Sequence, residues 1–145
     1  MSETSNAAQG GVQGAVLRPD EIRMVDRGGG ARTIPLVHPG VGARSLINGI
    51  TIFAPGAAIP LHTHNCEESV MVLDGNAIAV IGGVEHRLKA MDTTWIPTGL
   101  PHRFINASAT QEMRIFWTYT DIAATRTLVE TGETRAVLAE HAKRI

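Results

Sequence analysis

The chain has 145 residues, 13 Lys and Arg against 14 Asp and Glu, a net charge of −1 and one cysteine. That length suffices for a single domain that buries its own core without cross-links, and a lone thiol excludes an intrachain disulfide. The near-neutral balance, with a pI near 6.6, argues against a nucleic-acid surface or a polybasic membrane surface, and no apolar run of about 18 residues offers a membrane span. The partners left are small molecules or a second copy of the chain.

The first 14 residues, MSETSNAAQGGVQG, have neither the basic nor the apolar region of a secretory signal, which points to the cytoplasm. Their Gly, Ser, Asn and Gln content predicts a flexible tail over 1–14, ahead of a single domain over 15–145. Residues 15–17 open an apolar stretch, Arg18-Pro19-Asp20 interrupts it, and 21–25 reads as a short strand or turn. Gly28-Gly29-Gly30 is a plain connection, because no helix pattern and no Gly-Lys-Ser/Thr follow it as a phosphate loop requires. A strand over 32–37 carries Pro35, whose missing N–H places it near a sheet edge. Pro39-Gly40 turns the chain toward a strand over 45–53, in which Asn48-Gly49 predicts a bulge or kink.

After 56–75, Ala77–Ile81 and Val84–Leu88 flank Gly82-Gly83 as a tight hairpin. Thr93–Ile96, 103–106 and Met113–Tyr119 supply further strands, with 107–110 as a polar turn. Toward the C-terminus, 125–130 alternates as an edge strand and 136–143 suits two turns of helix. Short strands roughly 8–12 residues apart, separated by Gly, Pro and Asn turns, predict an all-β sandwich or barrel.

Two stretches carry the chemistry. In GAAIPLHTHNCEESVMVLDG, residues 56–75, His62 and His64 are one residue apart on a predicted strand, so both imidazoles face one way. Glu68 follows at the head of the next apolar strand and offers a carboxylate beside them. In PTGLPHRFIN, residues 97–106, a Pro/Gly turn delivers His102 to the start of another strand. Gly56, His62, His64, Glu68 and Gly75 are similar to the first cupin motif, and Pro97, Gly99, His102 and Asn106 resemble the second. The second motif usually opens with Gly, where Met91 stands here, followed by the expected Asp92; Gly often supplies a positive φ at such a turn.

This resemblance, covering 56–106, implies a cupin double-stranded β-helix. It is a jelly-roll barrel with its core at about 45–120, extra N-terminal strands and a short C-terminal segment. It implies one divalent metal held by His62, His64, Glu68 and His102, and pairing into a homodimer. The family also includes sites built of histidines alone, with the carboxylate as an outer acceptor; direct ligation by Glu68 is the expectation here.

Three imidazoles and one carboxylate suit Fe, Mn, Ni, Co or Zn rather than Ca or Mg, which favour oxygen. Four ligands on an octahedral ion leave two adjacent positions, as a substrate chelating through two oxygens requires. Strand alternation places Phe104 and Asn106 on the face of His102, and Val70 and Val72 on that of Glu68, which makes them the expected pocket lining. Trp95, Phe116, Trp117 and Tyr119 read as core, His38, His86 and His141 as ordinary histidines, and Cys66 as a bystander thiol. No second carboxylate or histidine is placed as a general base. The expectation is a metal-dependent small-molecule enzyme, first an Fe(II) dioxygenase on an oxygen-chelating substrate. A redox-neutral isomerase or lyase and a non-catalytic binding or sensing module are the alternatives.

Overall fold

The computed structural model describes residues 13–141. The expected tail therefore lies outside the described residues except for its last two positions. Among the described residues twelve strands form two antiparallel sheets: β1 Val25–Gly28, β2 Ala31–Pro35, β3 Ile47–Phe53, β4 His62–His64, β5 Glu68–Asp74, β6 Ala77–Ile81, β7 Val84–Leu88, β8 Thr93–Ile96, β9 His102–Asn106, β10 Met113–Tyr119, β11 Thr125–Leu128 and β12 Thr134–Ala136. One helical turn, α1 Val137–Glu140, follows. The sheets run β1-β2-β3-β10-β5-β8 and β12-β11-β4-β9-β6-β7 and face each other as a jelly-roll barrel. No helix among the described residues is long and apolar enough to cross a membrane.

Period-2 alternation builds the interior. Met113, Ile115, Trp117 and Tyr119 of β10 are buried, as are Val70 and Val72 of β5 and Phe104 of β9, while intervening residues face outward. β3 departs from alternation because both its faces are covered. Phe53 enters the barrel, whereas Ile50 and Ile52 join Ile34 in a second cluster against Ile22, Met24, Leu36 and Phe116. Ile22 and Met24, in the segment ahead of β1, thus cover part of the outer face of the first sheet.

Several local expectations change. The segment expected as strand or turn over 21–25 is a 3-10 turn at Pro19–Glu21 that leads into β1, and Gly28-Gly29-Gly30 closes the β1–β2 hairpin. Pro35 lies beyond the reach of β1, so its missing N–H costs no ladder bond. Asn48-Gly49 makes no bulge: β3 keeps regular register with β10 throughout. Gly49 is there for space, since a Cβ would stand 2.6 Å from Cζ2 of Trp117. β11 is not an edge strand, because β12 pairs outside it. The C-terminal helix is the single turn α1, and 142–145 lie outside the described residues.

Gly82-Gly83, with φ of 56° and 83°, forms the expected tight turn between β6 and β7. Met91 is the one non-glycine with positive φ among the described residues, at 79°. A left-handed conformation costs an L-residue about 1–2 kcal/mol, partly offset by the roughly 0.4–1 kcal/mol that glycine adds to unfolded-chain entropy. Met91 is 70% exposed, so little packing is lost with its side chain. Met91→Gly is expected to stabilise the fold by about 0.5–1 kcal/mol, read as a higher denaturant midpoint at unchanged slope; a lower midpoint would contradict the strain.

Candidate metal centre

The site is made where the two sheets face each other. β4 pairs with β9 through His62 opposite His102, and its alternation turns His64 to the same side. The three rings are buried, with centroids 4.4–5.0 Å apart. Their ligand atoms lie within 4.8 Å of one another, which positions three histidines to bind a metal. Glu68 comes from β5 in the opposite sheet, with Oε1 3.0 Å from His102 Nε2 and 3.5 Å from His64 Nε2.

Backbone carbonyls set the orientation of each ring. Nδ1 of His62 meets the Pro60 carbonyl at 2.7 Å, Nδ1 of His102 that of Leu100 at 2.8 Å, and Nδ1 of His64 that of Thr125 at 2.9 Å. A carbonyl oxygen only accepts, so each Nδ1 is the donor and each neutral ring keeps its lone pair on Nε2. Sequence prepares this locally. Pro60 and Leu100 each stand two residues before the histidine they orient, and Gly99, at φ 80°, bonds the His64 carbonyl at 2.9 Å to hold the second turn in place. Asn65 fixes the third acceptor: its Oδ1 takes the Thr125 N–H at 2.8 Å and its Nδ2 donates to the Ala123 carbonyl.

This donor set fits a divalent ion. His64 Nε2 is buried with no hydrogen-bond partner, and the lone pair of His102 Nε2 faces a carboxylate oxygen at 3.0 Å. Two acceptors at that distance need a proton or a cation between them. Burial, aided by the neighbouring His102 and His64 rings, pushes His62 down to about 2, and burial also lowers His64 against the opposing pull of Glu68. Rings kept neutral in this way are the protonation state a metal requires.

A cavity of about 30 Å³ lies beside His62 and Glu68, walled by Phe104, Ile115, Trp117 and Tyr119. Of the expected lining, Phe104 is in this wall. Val70 and Val72 are packed in the barrel core, and Asn106 spends its amide on the carbonyls of Phe53, Ala54 and Gln111, tying β9 to its neighbours.

Thr51 and four other polar residues outside the expected lining also reach the cavity. The Tyr119 ring stacks edge-on against His64 at 4.6 Å, and burial, with the Glu68 carboxylate beside it, holds its phenol well above the usual range and hence protonated. Arg27, Arg126 and His141 also line it. His141 packs on Trp117 with ring centroids 5.0 Å apart, and its buried Nε2 has no partner. Inward alternation along β10 was the available signal for Tyr119; for the other three, in β1, β11 and past α1, none existed. Cys66 is buried, and burial raises its thiol pKa, which fits a bystander. His38 accepts from the Gly40 N–H, and His86 is exposed.

Residues 49–119 match the family model for the Cupin domain. The HTH-type transcriptional regulator PuuR of Escherichia coli is 32% identical over 95 residues, 65% of this chain and 50% of that protein. Polyketide synthase CurC of Streptomyces cyaneus is 35% identical over 91 residues, 62% of this chain and 58% of that protein. The chain thus spans about half the length of these curated relatives. Among solved structures, the polyketide cyclase RemF from Streptomyces resistomycificus superposes with a TM-score of 0.68 at 20% identity, covering 84% of each chain. An RmlC-like cupin from Shewanella frigidimarina gives 0.63 at 22% identity, over 72% of this chain and 87% of that one.

His62 and His64 are held below the ordinary 6.5, as is His141, which burial takes to about 3. In the unfolded chain these rings take up protons below about pH 6.5; in the folded chain burial delays this, to about 2 for His62 and about 3 for His141. Stability is therefore full above that pH and falls as pH drops, by about 1.4 kcal/mol per pH unit for each of His62 and His141, with His64 acting in the same direction. Metal-free protein should melt at a markedly lower temperature at about pH 5 than at about pH 7.5. Equal melting temperatures would contradict the buried neutral rings.

Proposed function

Given that this chain carries a cupin domain, we propose that it is a metal-dependent enzyme for small molecules, with His62, His64, His102 and Glu68 holding one divalent transition metal. The observation carrying the proposal is the convergence of three Nε2 lone pairs, each ring aimed by its own Nδ1–H···O=C bond, on a point beside the Glu68 carboxylate. Orientation by such outer partners typically governs metal affinity by 10–100-fold. An ion held there would supply Lewis-acid polarisation of a substrate oxygen and, were it iron, redox chemistry.

The residues around it have separable tasks. Phe104, Ile115 and Trp117 exclude water from one side. Tyr119, protonated through the working pH range, keeps a proton at its phenol oxygen beside Glu68 and steadies the carboxylate. His141, neutral with Nε2 unpaired, offers a polar contact at the cavity wall. The first reading of the reaction is oxidation of an oxygen-chelating substrate by dioxygen on Fe²⁺. A redox-neutral reading, isomerisation or cyclisation, is favoured by the likeness to CurC and RemF.

His62→Ala and His102→Ala should each lower bound metal at least ten-fold by elemental analysis. They should also lose the stabilisation of a saturated site, about 2.7 kcal/mol at a hundred-fold excess over Kd. Full occupancy in either variant removes that residue from the site. Protein reconstituted with Fe²⁺ should consume oxygen with chelating carbonyl compounds. Turnover without oxygen uptake selects the redox-neutral reading, and full metal loading without any turnover points to a binding module.

A further inference from the structure

Arg27 on β1 and Arg126 on β11 stand between two cavities. Both line the inner space beside His62 and Glu68, and both line an outer space of about 230 Å³. Their guanidinium groups converge on a single carboxylate, that of Glu140 at the end of α1. Arg27 Nη2 donates to Oε1 at 3.1 Å and Arg126 Nη2 to Oε2 at 2.6 Å, one oxygen to each arginine. Glu140 is only 5% exposed. The outer cavity carries one more guanidinium than carboxylates, since Arg135 already engages Glu133 at 3.0 Å.

The inner cavity, at about 30 Å³, holds only one or two water-sized groups. Anything larger must extend past His141 on its wall, toward the two arginines and the Glu140 they hold. Removing Glu140 would leave two largely buried guanidinium groups unpaired, which is strongly unfavourable, so what replaces it must itself be an anion. The geometry already observed, two nitrogens of separate arginines on the two oxygens of one carboxylate, selects its shape. Burial lowers the Arg27 pKa, with Glu140 the principal opposing influence, which fits a cation dependent on an anion at this point.

We propose that Arg27 and Arg126 form a carboxylate-recognition subsite of this cavity, occupied internally by Glu140. A carboxylate-bearing substrate enters by replacing Glu140 between them, with its chelating oxygens turned toward the histidines. Only that last orientation rests on the metal-centre reading. The turn that must yield is short: α1 has four residues, anchored by the buried Val137 side chain, by Leu138 packed on the core and by the Val137 N–H on the Ala124 carbonyl at 2.9 Å.

The test uses full-length, metal-free protein with sodium acetate as probe, sodium chloride at equal ionic strength as control, and phosphate as a second anion. In Glu140→Gln, acetate should raise Tm at concentrations at least ten-fold below those needed by the unaltered chain, and adding Arg126→Met should abolish the response. In the unaltered chain, saturating acetate should accelerate hydrogen exchange at the amides of Val137 and His141, an arm that needs no variant to fold. Equal acetate responses with and without Glu140, a response that survives Arg126→Met, or unchanged exchange at both amides would overturn the proposal. Stabilisation of Glu140→Gln by phosphate but not acetate would overturn the carboxylate assignment. Metal content after loading is measured on the same preparations, so failure of the metal site is distinguished from failure of this subsite.

Discussion

The donation of three imidazole Nδ1–H groups to three backbone carbonyls organises this protein's interior. A histidine buried in a barrel could turn either nitrogen inward. Here the Pro60, Leu100 and Thr125 carbonyls take the Nδ1 protons, which leaves every Nε2 lone pair facing the centre. Two of these bonds are local, formed by the turns just before β4 and β9. The third ties β4 to β11 and depends on Asn65 holding the start of that strand. The cost of keeping polar rings dry and neutral is therefore met partly by turn geometry and partly by the packing of one strand on another.

Around this fixed half of the site the opposite sheet supplies groups of another kind. Glu68 and Tyr119 are register partners on β5 and β10, so the carboxylate and phenol arrive together. The arginines come from further out: Arg126 lies opposite His64 on β11, and Arg27 is on the added N-terminal strand β1. The barrel is therefore polar at its mouth and apolar at its inner wall. Sequence relatives of this chain have names describing regulation and polyketide chemistry, which agrees with function residing in residues grafted onto a common frame.

The strands and the inward-facing histidines were legible because each depends on short-range rules. Alternation in Met113–Tyr119 and in His102–Asn106 states which side chains go inward, and paired glycines at 82 and 83 state where a hairpin closes. Met91 was legible in the same way, as a residue standing where a positive φ is required. Asn48-Gly49 misled because the same dipeptide that allows a bulge also clears room for a ring, and only the position of Trp117 decides between them. Val70, Val72 and Asn106 were correctly placed on the inward faces, yet facing inward is not the same as reaching the cavity.

What the sequence by itself determined is a β barrel with three histidines and a carboxylate turned to one interior, because period-2 geometry and turn chemistry act over a few residues. Only the tertiary structure decided which nitrogen each ring presents, how little space remains beside it, and that Arg27, Arg126, Glu140 and His141 gather at its mouth. Arg27 and Glu140 are separated by 113 positions. No local pattern carries a contact of that range; it exists because β1 extends one sheet, β12 leads into α1 at the end of the other, and closing the barrel brings those ends together.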